Sequence, residues 1–244
     1  MAMKNLVLSI LLFSCCVSAR AMVNGSSVSD DQFLAEYPWM VVVVHQSNGG
    51  ICGGVLISPT WVLTAAHCTA SQKFVLYGSA DRTQARRVEV VRAIRHPRHN
   101  KPSGQNDVGL LQLAEPLQVS ALPIANPADE LAWLKSALPA IILGWGRLPD
   151  RTLPDRLHRF SLADSQRRAR DSLLIIETPG GPCHRDSGGP LVIVDQSGTL
   201  KLLAVISATE GNLCSKGGGT AYYVRISTVS PFIAKHVKDL PPTD

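Results

Sequence analysis

From Met22 onward the chain alternates short apolar runs with turn-forming residues. "WMVVVVH" (39–45), "GGVLIS" (53–58), "WVLTAA" (61–66) and "KFVLYG" (73–78) come first. "RRVEVVRAI" (86–94), "VGLLQL" (108–113), "AIILGWG" (140–146), "PLVIV" (190–194) and "LLAVIS" (202–207) follow. Such runs, rich in Val, Ile and Leu and bounded by Gly, Pro, Asn and Asp, predict strands. Many of them in one chain predict an all-β sandwich or barrel. Helical spacing is scarce. The exception is "SPFIAKHVKDL" (230–240), where Ile233, Val237 and Leu240 recur behind Ser230 as N-cap and Pro231 at the first position. The Pro-bounded stretch "ALPIANPAD" (121–129) marks a boundary between two halves, 22–120 and 121–244.

Ahead of the strands lies a different pattern. Lys4 precedes an apolar run from Leu6 to Val17. A bilayer span needs about 20 residues, whereas a secretory signal core needs about 7–15. Residues 1–21 therefore read as a signal peptide, with Ala19-Arg20-Ala21 as the cleavage site and Met22 as the first mature residue. Cleavage after Ala19 is the competing site, and a lipoprotein acylated on Cys15 or Cys16 fits the preceding residues poorly. The expected location is outside the cytoplasm, extracellular or periplasmic, without stable membrane association.

Composition narrows the class. The 244 residues are 45% hydrophobic and 18% charged, which suits globular domains and excludes a disordered chain. The net charge of +5 falls to about +3 once Lys4 and Arg20 of the leader are set aside. The basic residues come as scattered pairs, Arg86-Arg87 and Arg167-Arg168, without interleaved aromatics. They read as solvated surface, and no nucleic-acid partner is expected. Outside the leader four cysteines remain, Cys52, Cys68, Cys183 and Cys214. An even number in an exported chain predicts two disulfides, and the absence of a C-x-x-C pair argues against a metal site.

Three stretches carry candidate chemistry. "LTAAHC" (63–68) sets His67 at the end of an apolar strand, and "NDVGLLQL" (106–113) sets Asp107 at the start of another. Taken singly, a histidine there is usually structural and an aspartate usually a cap. "RDSGGP" (185–190) is more specific: Ser187 stands between an acid and two glycines, in a tight loop with no side chains crowding it.

The order His67, Asp107, Ser187, with "TAAHC" and "DSGGP" around two of them, resembles the chymotrypsin/trypsin family of serine proteases. The resemblance runs from "MVNG" (22–25) through "GWG" (144–146) to "AYYVRIS" (221–227). It implies two six-stranded antiparallel β-barrels with a C-terminal α-helix. It also implies a serine endopeptidase that works through an acyl-enzyme without cofactor or metal. Ser187 is then the nucleophile, His67 the base, Asp107 its orienting acid and Ser207 a hydrogen-bond donor to that acid. The N–H groups of Arg185 and Ser187 form the oxyanion hole. The Met22 ammonium, freed by signal cleavage, pairs with Asp186. The implied disulfides are Cys52–Cys68 and Cys183–Cys214, while Ala140 and Ile193 stand at partner positions of a bridge this chain lacks.

Several residues depart from the pattern. Arg185 occupies a glycine position, so the resemblance predicts a strained backbone and a long side chain on the leaving-group side, hindering bulky inhibitors or favouring acidic residues. Gly181, six residues before Ser187, stands where trypsin-like enzymes carry an aspartate. Thr209 and Ala221 replace residues of the pocket wall, which implies small or medium apolar side chains in the substrate. Glu210 would restore a basic preference only if it pointed inward, and a solvated position is expected. Asp81 alone is too little for a calcium loop. The expected partners are protein or peptide substrates and protein inhibitors of proteases, with the chain a monomer. The alternative is an inactive relative that acts as a binding module. An ester-specific hydrolase would use the same triad, but the G-x-S-x-G elbow of the α/β-hydrolases is missing.

Overall fold

β2 (Met40–His45), β3 (Ile51–Ser58), β4 (Trp61–Thr64), β5 (Lys73–Tyr77), β6 (Arg86–Arg95) and β7 (Gly109–Leu113) close into a barrel in the order β2-β3-β4-β7-β6-β5. The computed structural model describes residues 22, 24–70, 73–136, 139–163, 165–195, 197–211, 214 and 218–242. The predicted signal peptide lies outside the described residues. Every residue of β3 is buried, because one face fills the barrel and the other meets the second half of the chain. This explains why "ICGGVLIS" is apolar throughout rather than alternating.

The second half forms an antiparallel sheet. Its strands are β8 (Ala140–Gly144), β9 (His158–Ser161), β10 (Gln166–Arg170), β11 (Leu173–Thr178), β12 (Pro190–Val194), β13 (Leu200–Gly211) and β14 (Gly219–Arg225). β1 (Ser26–Ser27) joins them, giving the order β1-β9-β8-β12-β13-β14-β11-β10. The strand count therefore differs from the expected six, because the short β1 and the charged β10 extend the two edges. β10 is "QRRAR", almost wholly exposed, and its arginines protect an edge from pairing with other chains. The crossing between halves falls at 123–124: Leu122 N–H bonds the Leu56 carbonyl, whereas Ala125 N–H bonds that of Leu202.

Two helices escape the sequence pattern. α1 (Asp30–Glu36) is capped by Ser29 and buries only Phe33. α2 (Pro127–Lys135) starts with a capping box between Asn126 and Asp129. The terminal helix α3 spans Ile226–His236, so it begins before Ser230, and Pro231 lies inside it. Proline 231 cannot donate to the Ser227 carbonyl, and the Ser230 hydroxyl does so instead at 3.1 Å. The buried residues Ile226, Val229, Phe232 and Ile233 keep one apolar face across the proline.

Disulfides join Cys52 to Cys68 and Cys183 to Cys214. Ile193 and Ala140 are direct cross-strand partners of β12 and β8, both buried, so an apolar contact occupies that position. Where the halves meet, backbone lies on backbone. A Cβ on Gly53 would sit 2.7 Å from Gly189 Cα, and one on Gly188 would sit 2.4 Å from the Gly53 carbonyl oxygen. Gly188 also adopts φ 83°, open to glycine at no steric cost.

Candidate active site

β4 runs into a single 3-10 turn, Ala66–Thr69, that holds His67 at the cleft with its side chain 40% exposed. The neighbouring Cys68 ties this turn back to β3 through its disulfide. Asp107 sits at the entrance to β7, almost fully buried. Its Oδ2 accepts from His67 Nδ1 at 2.7 Å and from Ser207 Oγ at 2.7 Å. Its Oδ1 accepts the His67 backbone N–H at 3.0 Å and faces His99 Nε2 at 3.4 Å. Burial opposes the charge, but the bonds from His67 and Ser207 outweigh it and hold the Asp107 carboxyl below the ordinary range.

Ser187 comes from the other half. Its loop is fixed by Asp186 N–H to the Cys183 carbonyl, Gly188 N–H to Ile206, and Gly189 N–H to Asp186. Gly53 N–H bonds the Ser187 carbonyl across the interface at 2.9 Å, which sets the loop against the His67 side of the cleft. The Arg185 and Ser187 N–H groups donate to no acceptor among the described residues. Two uncommitted donors two residues apart beside a serine hydroxyl suit an oxyanion. Ser187 Oγ points to the Ser207 carbonyl at 3.4 Å, and among the described residues no hydrogen bond joins it to His67. Arg185 adopts φ 82°, the left-handed region. A non-glycine residue there costs about 1–3 kcal/mol and persists only where its surroundings hold it.

Asp186 is completely buried. It accepts from Gly146 N–H at 2.7 Å and Cys183 N–H at 2.8 Å. Burial outweighs these two donors and pushes its pKa up to about 7. Any side chain at residue 146 would collide with this carboxylate, since a Cβ on Gly146 would lie 2.2 Å from Oδ2. Met22 is buried in the same core cluster as β8 and β12. Its Cε lies 3.2 Å from the point where a Gly144 Cβ would stand, a point 2.0 Å from Asp186 Oδ1.

The expected pocket residues lie in the second sheet. Gly181 is buried, Ala221 is fully buried, and Thr209 and Ala221 are cross-strand partners of β13 and β14. Glu210 is exposed and accepts a hydrogen bond from the Tyr222 hydroxyl. An open cavity of about 650 Å³ beside Ser207 is lined by His99, Lys101, Gly104, Ala208, Glu210 and Tyr222. His99 was not singled out by the sequence. It lies in the polar stretch "HPRHNK", and nothing in that spacing reveals that the chain folds its imidazole against Asp107. Burial holds His99 below the ordinary histidine range, with the Asp107 charge acting in the other direction. Asp81, by contrast, is occupied in its own turn, accepting from the Thr83 N–H and hydroxyl.

A protein-family model described as Trypsin matches residues 22–233. The chain belongs to the trypsin family of serine proteases. Vitamin K-dependent protein C of Mus musculus is 27% identical over 88% of this chain and 52% of its own length. Serine proteinase stubble of Drosophila melanogaster is 31% identical over 89% of this chain and 31% of its own. The chain thus spans about half the length, or less, of these relatives. The match covers both the barrel that carries His67 and the sheet that carries Ser187. No described helix is long and apolar enough to cross a membrane.

Proposed function

We propose that the chain is a secreted serine endopeptidase in which His67, Asp107 and Ser187 hydrolyse peptide bonds through an acyl-enzyme. The observation that carries this reading is the Asp107 carboxylate, which binds both the ring and the backbone of His67 and the hydroxyl of Ser207. A serine hydroxyl needs an adjacent base to attack at neutral pH. Rotation of Ser187 about its side-chain bond brings Oγ from the Ser207 carbonyl toward His67. Oγ then bonds to the substrate carbonyl carbon while its proton passes to His67 Nε2. The carbonyl oxygen takes the negative charge, between the N–H groups of Arg185 and Ser187. His67 returns the proton to the leaving amine as the peptide C–N bond breaks. Water repeats the sequence to release the acid and restore Ser187.

Gly181, Thr209 and Ala221 support a preference for small or medium apolar side chains before the scissile bond. Signal cleavage at Ala21 supplies the Met22 ammonium, and the buried, cation-hungry Asp186 supports its use as the activating partner. The substrates are proteins or peptides, and protein inhibitors of proteases are natural ligands of such a cleft. A fluorophosphonate probe tests the reading. One adduct on Ser187 in a chain starting at Met22 is the expected result. A correctly processed chain that takes no adduct would favour the inactive binding module, the reading to which the strained Arg185 and the Ser187–Ser207 contact give their support.

A further inference from the structure

The proposed hydrolysis uses the Arg185 backbone N–H but not its side chain. It is exposed, and its guanidinium has no ion-pair or hydrogen-bond partner among the described residues. A Cβ on Gly50 would lie 2.5 Å from Arg185 Nη1, so the guanidinium lies against the β2–β3 turn. Asn48 flanks the same point, its Oδ1 2.9 Å from that Cβ position.

The guanidinium thereby lines a cavity of about 250 Å³ with His45, Asn48, Ile51, His67 and Ser187. Nucleophile and base both line it. None of its lining residues comes from β13, whose Ser207 and Ala208 line the larger cavity that also reaches His67. A substrate whose acyl half follows β13 leaves its departing half in this cavity. No Asp or Glu lines it. The β13-side cavity beside Ser207 is of mixed sign, with Lys101 and Glu210 both present. The cavity at Arg185 thus offers a positive charge with no acid in its lining to offset it.

We infer that Arg185 is a specificity-determining residue that binds a substrate carboxylate, so that the enzyme selects peptides with Asp or Glu within the first two residues after the scissile bond. This rests on the endopeptidase reading. A guanidinium presents paired donors that match a carboxylate in a way a lysine ammonium does not. The site is solvent-accessible, so the gain is modest and sensitive to salt.

The test uses quenched fluorescent peptides that differ only in those two positions, carrying acidic, alanine or lysine residues. Processed wild-type enzyme, Arg185→Gln and Arg185→Glu are compared by kcat/KM ratios within each enzyme, so that any change at the oxyanion hole cancels. Wild type should favour the acidic peptide over alanine by about three- to tenfold, and about 1 M salt should narrow that ratio. Arg185→Gln should abolish the preference and Arg185→Glu should invert it toward lysine. Equal rates for all wild-type peptides, or an acidic preference that survives Arg185→Glu, would overturn the inference. A nitroanilide substrate, which has no residues after the scissile bond, separates the two claims. If it is hydrolysed while the peptide ratios are flat, the subsite alone falls. If it is inert and Ser187 takes no fluorophosphonate, the endopeptidase reading falls and takes the subsite with it.

Discussion

Asp186 supplies a prediction that links processing to stability. Two chains are compared, one beginning at Met22 and one that retains Ala21 ahead of it. In the extended chain the carboxyl is completely buried with two N–H donors, and its pKa stands at about 7 against an ordinary value of 3.8. A folded-state pKa raised above the unfolded one penalises the folded state as pH rises. The penalty is absent below the unfolded value, grows between the two values and is complete above the folded one. Roughly three units correspond to a ceiling of about 4 kcal/mol. The proposed pairing of the Met22 ammonium with Asp186 in the chain starting at Met22 would stabilise the carboxylate and remove most of that penalty. The stability gap between the chains should therefore be small at about pH 4 and open to as much as about 4 kcal/mol at about pH 7. It should close again as the amine loses its proton, above about pH 8. Urea unfolding of both chains across this range measures it directly. Parallel pH profiles for the two chains would refute the reasoning, because nothing else about them differs near a titrating group.

Other consequences are more local. Ser207→Ala removes a 2.7 Å bond to the Asp107 carboxylate, and kcat for a neutral peptide should fall about tenfold with little change in KM; an unchanged kcat would deny Ser207 a role. His99→Phe keeps an aromatic ring but removes the nitrogen facing Asp107 at 3.4 Å. The Asp107 carboxylate then loses one neighbour that holds it in place for His67, and kcat should fall with little change in KM; an unchanged kcat would show that the contact has no catalytic consequence. Gly53→Ala puts a methyl 2.7 Å from Gly189, and should cost at least about 2 kcal/mol in urea unfolding while reducing the fraction of enzyme labelled at Ser187. Replacing Cys52 and Cys68 by alanine opens a loop with a sequence separation of 16 residues, which should cost about 3 kcal/mol, read by the same unfolding experiment.

How far the sequence could be read depends on whether a residue's partners are near it in the chain. β2, β3, β4 and β7 of the closed barrel are written as apolar runs because they are buried over most or nearly all of their length, whereas β6 is mostly exposed and shows only as Val and Ile between charged residues. β1, β9, β10, β11 and β14 escape that reading: β10 is a charged edge and β14 mixes Gly, Thr and Tyr, but β11, "LLIIET", is a buried apolar run of the same kind as the predicted strands. α3 was placed too late, since Pro231 looks like a helix start and the Ser230 hydroxyl that repairs its missing bond has no sequence signature. His67, Asp107 and Ser187 were legible only together, through their order and the motifs around two of them. His99 had no motif to announce it, and it meets Asp107 because of how the 96–107 segment folds.

Arg185 lies between these cases. The motif marks it as a departure, and the resemblance already points its side chain to the leaving-group side. The structure adds that the backbone there is left-handed, at φ 82°, that the guanidinium lies over Gly50, and that it lines the cavity beyond Ser187. Glycine would relieve the strain and leave the oxyanion N–H in place, so catalysis alone gives no reason for arginine. A strained residue that the chemistry does not require is best explained by what its side chain reaches, here the half of the substrate that leaves.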